Sequence, residues 1–192
     1  MRSSLQSGAA YNYPPAASEW IPGGDAGVSA TIAKMRNLVH GPQGVRSFLV
    51  KQYAYDAVRG VERGQTEIDA VFDRVMQDIE FRGEHGETLQ SPEATIRLGA
   101  GDCDDHSSLL AALYQSLGFE TRFKTVALLH SPDEYSHVYV EVNNKGHWLP
   151  ADSTIQASYP GWEPDNVARS ESYGSNGVSL LGLGLLALGC LL

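Results

Sequence analysis

Apolar and polar residues alternate most regularly between His137 and Asp152. His137, Val138, Tyr139, Val140, Glu141 and Val142 follow the period of a half-buried strand. Asn143, Asn144, Lys145 and Gly146 give a turn signal, and His147 to Asp152 reads as the returning strand. A hairpin symmetric about that turn sets Val142 against His147, Val140 against Leu149 and Val138 against Ala151, an apolar face. Its other face sets Glu141 against Trp148, Tyr139 against Pro150 and His137 against Asp152. Directly opposed residues have Cβ atoms about 4.5–5.5 Å apart. The register that gathers the apolar side chains thus gives the histidine a carboxylate, and a slip of one residue breaks both.

Helical spacing marks several other segments. Leu109, Leu110, Leu113 and Leu117 form one stripe, and Gly118 reads as its stop. Asp102 suits the N-cap and Asp105 the reciprocal capping position, which makes Cys103 the first helical residue. Val45 to Val61 predicts a helix with Val45, Phe48, Leu49, Ala54 and Val58 inward. Thr66 caps a predicted helix running to Ile79, with Ile68, Val71, Phe72, Val75 and Ile79 inward. Ser91, Pro92 and Glu93 open a short helix with proline at its first position. Thr31 to Val39 is apolar-periodic as helix or strand, and Glu120 to Leu129 reads as a strand. There is no internal repeat.

These segments divide the chain into three. Residues 1–27 are expected to form an irregular Gly/Pro-rich N-terminal arm, 28–172 a single domain, and 173–192 an apolar Gly/Leu-rich C-terminal tail. The run Val178 to Leu192 carries no charge. As a helix it spans about 22 Å, short of the roughly 30 Å hydrocarbon core. Three readings of it stand: a membrane contact, burial in a larger assembly, or a segment folded back on the domain.

Composition narrows the function. With 192 residues, 42% of them hydrophobic, one core is expected. A net charge of −9 with no basic run excludes nucleic acid as the expected partner. The two cysteines, Cys103 and Cys190, sit in unlike contexts and suggest no disulfide framework. The first fifteen residues lack an apolar signal-peptide core. The expected location is therefore cytoplasmic or virion-associated.

A thiol, an imidazole and a carboxylate are the parts of a nucleophilic cysteine enzyme, which makes Cys103, His137 and Asp152 the candidate catalytic residues. The helix N-terminus favours a thiolate at Cys103 and offers its N–H to an oxyanion. Asp102, Asp104 and Asp105 oppose that thiolate. Activation then falls to His137. Gln90, thirteen positions before the cysteine, is a candidate second oxyanion donor, against the plainer reading of a solvated loop residue. Each candidate has a purely structural alternative: a buried small residue for Cys103, a satisfied strand histidine for His137, a turn opener for Asp152. Cys103 and His106 have a C-x-x-H spacing, but no second ligand pair stands at zinc spacing, so no metal or cofactor is expected. His106 reads as a helix-surface group or a support behind the site. Glu141 with Trp148 reads as a sheet-surface pair.

The run Gly101-Asp102-Cys103-Asp104-Asp105, the helix ending in Leu117-Gly118-Phe119, the strand from His137 to Val142 and the segment from Trp148 to Asp152 together resemble the transglutaminase-like superfamily, including its bacterial and phage cysteine-proteinase-like branch. The resemblance covers roughly Thr66 to Thr154. It implies an α+β fold, a transglutaminase-like or papain-like cysteine-protease core in which the Cys103 helix packs on an antiparallel sheet carrying His137 and Asp152. It also implies that Cys103 attacks an acyl group, His137 is the base and Asp152 orients it. Animal members carry a calcium-binding framework and a tryptophan well before the cysteine. Neither is evident here, so calcium-dependent crosslinking is not implied.

The expected activity is that of a cysteine hydrolase or acyltransferase acting through a thioester on peptide or side-chain amide bonds, with protein or peptide as substrate and hydrolysis favoured over crosslinking. The alternative from another class is a non-catalytic structural protein of a larger assembly, a phage virion among them, which keeps the fold and docks through its terminal extensions. Residues 178–192 are the candidate membrane or assembly contact, beside the reading in which they fold back on the domain.

Overall fold

The computed structural model describes residues 25–83 and 88–174. Five helices and six strands follow in the order α1 (Asp25–His40), α2 (Phe48–Ala57), α3 (Gln65–Asp78), β1 (Glu80–Phe81), α4 (Pro92–Leu98), β2 (Ala100–Gly101), α5 (Cys103–Ser116), β3 (Thr121–Leu128), β4 (His137–Asn144), β5 (His147–Ala151) and β6 (Val167–Gly174). The fold is α+β. A four-stranded antiparallel sheet of order β5-β4-β3-β6 carries α5 on one face, and α1 to α4 pack around α5. β1 and β2 form a separate two-stranded parallel pair that delivers the chain to α5.

The packing explains the burial of α5. A helix with one partner hides one stripe, but α5 has the sheet beneath it and helices around it. Every residue from Asp105 to Tyr114 is buried. The sheet supplies Phe123, Val138, Val140, Val142, Ala151 and Tyr173 to the same core, and α1 and α3 add Ile32, Met35, Ile68, Val71, Phe72 and Val75. Gly118, with φ 89°, ends the helix in the left-handed conformation a stop requires.

Sequence expectation and structure part at several places. Thr31 to Val39 lies within helix α1. Helix α2 starts at Phe48, capped by Ser47, and ends at Ala57, shorter at both ends than Val45 to Val61. Phe48 faces solvent, while Val50 and Ala54 turn inward. The cap of α3 is Gly64, not Thr66, whose hydroxyl donates to the Glu62 carbonyl instead. α4 opens as expected, with Ser91 Oγ accepting from the Ala94 N–H. β6 corresponds to no element expected from the sequence. Helix α1 takes in residues 25–27 and β6 runs through Gly174, so regular elements reach past 28 and 172. Residues 178–192 lie outside the described residues.

The hairpin keeps its predicted faces but not its register. Asn144 pairs with His147, Val142 with Leu149 and Val140 with Ala151. The turn is therefore only Lys145 and Gly146, at φ 54° and 93°, the double left-handed geometry of a two-residue hairpin loop. A shift of two positions preserves the period of two, so the apolar side stays in the core. It also sets Glu141 against Pro150 and Asn143 against Trp148. Glu141 is buried, with Arg122 Nε donating at 2.5 Å and Ser172 Oγ at 3.0 Å, and the Arg122 guanidinium lies 4.3 Å from the Trp148 ring centre. It is an ion-paired core group, not half of a surface pair.

Candidate active site

The N-terminus of α5 is built by short-range chemistry. Asp102 Oδ1 accepts from the N–H groups of Asp104 and Asp105 at 3.2 and 3.3 Å. Asp105 Oδ2 accepts from the Asp102 N–H at 3.4 Å, completing the capping box. Gly101 permits this: a Cβ there would stand 2.6 Å from the Asp105 Cβ. Asp105 Oδ1 also accepts from the Gln90 N–H at 2.7 Å, which ties the segment before α4 to the start of α5. Burial pushes the Asp105 carboxyl up to about 7, against the two N–H donors.

Cys103 occupies the first helical position, half-buried. Its N–H has no hydrogen-bond partner among the described residues. The β4–β5 ladder ends at Val140 and Ala151, so Val138 has no β5 partner. α5 fills the gap. Ser107 Oγ donates to the Val138 carbonyl at 3.1 Å and also lies 2.6 Å from the Cys103 carbonyl. The Val138 N–H is one of the groups that favour the ionised form of the thiol. The residue before Val138 is His137, so the cysteine and the histidine share one corner of the molecule.

His137 Nε2 lies 2.7 Å from Asp152 Oδ2. Asp152 is buried, and its Oδ1 accepts from the Thr154 N–H at 3.1 Å and the Thr154 hydroxyl at 2.6 Å. Burial raises its carboxyl, but the His137 and Thr154 interactions outweigh burial and hold it below the usual carboxylate value. An ionised Asp152 on Nε2 leaves Nδ1 as the ring atom open to the thiol. No hydrogen bond joins the thiol to that ring. Burial first, then the Asp104 and Asp102 carboxylates, push the Cys103 thiol well above its ordinary value, against the N–H groups of Val138 and Asp104. At rest Cys103 is thus a neutral thiol.

Gln90 stands at the same end of α5, with its Oε1 buried and unpartnered. His106 is not a helix-surface group. It is 1% exposed, with Nδ1 2.8 Å from Ser153 Oγ. The apolar period of α5 gives no hint of this, because the helix is buried on all sides. His130 and His147 are exposed and lie elsewhere.

The arrangement brings a cysteine at the first position of a helix, a histidine and an ionised aspartate to one edge of a helix–sheet junction, the parts that acyl transfer requires. No curated protein sequence matches the chain. Among solved structures it resembles a candidate protease of Parabacteroides distasonis, at 13% identity and a TM-score of 0.57 over 79% of this chain and 30% of that one. It also resembles a candidate cysteine protease of Cytophaga hutchinsonii, at 20% identity and a TM-score of 0.52 over 71% of this chain and 46% of that one. Both likenesses are of fold, and the chain spans less than half the length of either protein. No helix among the described residues is long and apolar enough to cross a membrane. Residues 51–153, which hold α3, the cysteine helix, the hairpin and Asp152, match the transglutaminase-like superfamily model, and the chain belongs to that superfamily.

Proposed function

We propose that the protein is a cysteine amidohydrolase acting on peptide or side-chain amide bonds of a protein substrate. Cys103 Sγ attacks the amide carbon as His137 Nδ1 takes the thiol proton. The Cys103 N–H and the Gln90 side chain receive the developing oxyanion. The tetrahedral intermediate collapses by breaking the C–N bond, and His137 returns the proton to the leaving amine. A thioester remains. Water attacks it, His137 takes the water proton and gives it to the departing sulfur, and a carboxylic acid leaves. Asp152 holds the imidazole tautomer and supports the imidazolium. Water is the favoured acceptor, since transfer to an amine requires a site that binds the amine and excludes water.

The observation that carries this reading is the meeting of the His137–Asp152 pair with a cysteine at the first position of a capped helix. The test is release of amine or ammonia from peptide and glutamine-amide substrates. Cys103→Ala should abolish release with the fold intact. Full activity in that variant sinks the mechanism.

The raised thiol favours a second reading, in which the site is unarmed and the fold docks into a larger assembly, a virion in the phage branch, through residues 178–192. Under it, Cys103 reacts as an ordinary buried thiol, indifferent to His137→Ala, and deleting the tail removes the partner.

A further inference from the structure

His106 lies one helical turn after Cys103, on the same face of α5. Its Nδ1 is 2.8 Å from Ser153 Oγ, and Ser153 is itself buried. Ser153 is joined through the backbone to Asp152, whose Oδ2 holds His137 Nε2 at 2.7 Å. His137 is joined to Val138, whose carbonyl holds the Ser107 hydroxyl at 3.1 Å, and that hydroxyl lies 2.6 Å from the Cys103 carbonyl. The links close on themselves: Cys103, one turn of helix, His106, Ser153, Asp152, His137, Val138, Ser107, and back to Cys103. Each link is a covalent connection, a polar contact or a single helical turn. Each of these links restrains the histidine relative to the thiol.

A buried imidazole needs a reason. His106 Nε2 is buried without a hydrogen bond, and the nearby Glu80 carbonyl does not complete one. An apolar side chain would fill this space without an unsatisfied nitrogen. Burial outweighs the Glu80 carbonyl and the Asp152 carboxylate and keeps the ring below its ordinary value, hence neutral. A neutral ring and the Ser153 hydroxyl share one proton across their contact, so the link persists at neutral pH.

We propose that His106 is a positioning residue, which through Ser153 fixes the Asp152–His137 pair against the Cys103 thiol. This rests on the reading of Cys103 as nucleophile and His137 as base.

The test is iodoacetamide alkylation of Cys103 between pH 5 and 9 in the full chain carrying Cys190→Ser, with folding checked by circular dichroism. His106→Leu and Ser153→Ala should each lower the His137-dependent rate at pH 7 by about tenfold or more, the scale of a small misplacement of reacting groups. The double variant should be no slower than the slower single one, since both cut one link. His106→Asn, which keeps a polar atom near the Nδ1 position, should recover most of the rate. A folded His106→Leu protein with the wild-type rate and pH profile overturns the proposal. Should that variant not fold, Ser153→Ala with the wild-type profile overturns it equally. A wild-type rate indifferent to His137→Ala instead removes the underlying reading of the site, and the positioning role with it.

Discussion

His137 and Asp152 meet beyond the last rung of their hairpin. Nε2 and Oδ2 are 2.7 Å apart, yet the β4–β5 ladder ends at Val140 and Ala151. Extending that register by one position sets Asp152 against Tyr139, so the carboxylate reaches the histidine diagonally. The end of the ladder serves both halves of the site: Asp152 is free to turn toward His137, and Val138 is free to receive Cys103 and Ser107.

Asp152→Asn tests that contact. The variant should lower amide hydrolysis by about a hundredfold or more, because an amide can hold the wrong tautomer. It should also change the acid limb of stability. The Asp152 carboxyl is depressed in the fold, so its contribution is present above the ordinary carboxylate value and disappears as pH falls through the folded one. Thermal melts from pH 2 to 6 should show wild type more stable than the variant near pH 6, with the gap closing toward pH 2. A constant gap contradicts this.

Asp104→Asn tests the thiol. Asp104 Oδ1 lies 3.9 Å from Cys103 Sγ, and after burial its charge is the largest influence raising that thiol. Removing the charge should speed alkylation at pH 7 by roughly three- to tenfold, the effect of one partly screened charge at this distance. The change should persist in a His137→Ala background, since it acts on the thiol directly. An unchanged or slower rate shows that Asp104 does not set the thiol.

The parts of the site legible in the sequence are those encoded over a few residues. The Asp102–Asp105 capping box spans four positions and is explicit in Gly101-Asp102-Cys103-Asp104-Asp105. The faces of the hairpin follow from alternation alone. Its register does not, because it depends on Lys145 taking φ 54°, a conformation that Asn144 beside it would adopt more readily. β6 is hidden by its composition. In Val167–Gly174 only Val167, Ala168 and Tyr173 are apolar, as on an edge strand whose outer side faces water. Phe48 misleads because an exposed aromatic can fall on the apolar period. The burial of His106 belongs to tertiary packing, which no local period encodes.

Asp105 makes a prediction of opposite sign to Asp152. Burial raises its carboxyl to about 7 from an ordinary 3.8. Between those values the folded protein holds a proton that the unfolded chain has lost, so stability falls as pH rises from about 4 to 7 and levels off above. The span corresponds to at most about 4 kcal/mol. Asp105→Asn should flatten this slope in thermal melts. It keeps an acceptor for the Gln90 N–H, so the variant should gain on wild type as pH rises. Parallel curves for the two proteins refute the shift.

Where the chain is cut decides what a truncation reports. Ending after Ser172 removes Tyr173, which is buried opposite Phe123 and packs into the core, and Gly174, the partner of Arg122. Losing a buried aromatic costs about 3 kcal/mol, so that protein should melt several degrees below the full chain, in line with a domain of this size. Ending after Gly174 leaves β6 whole. The protein of residues 1–174 should melt close to the full chain and keep its His137-dependent alkylation of Cys103. With both retained, any difference from the full chain in pelleting with lipid vesicles or in oligomeric state belongs to residues 175–192. A 1–174 protein that melts as low as the shorter one assigns a stabilising contact to those residues and removes the assumption that the tail can be deleted without touching the fold.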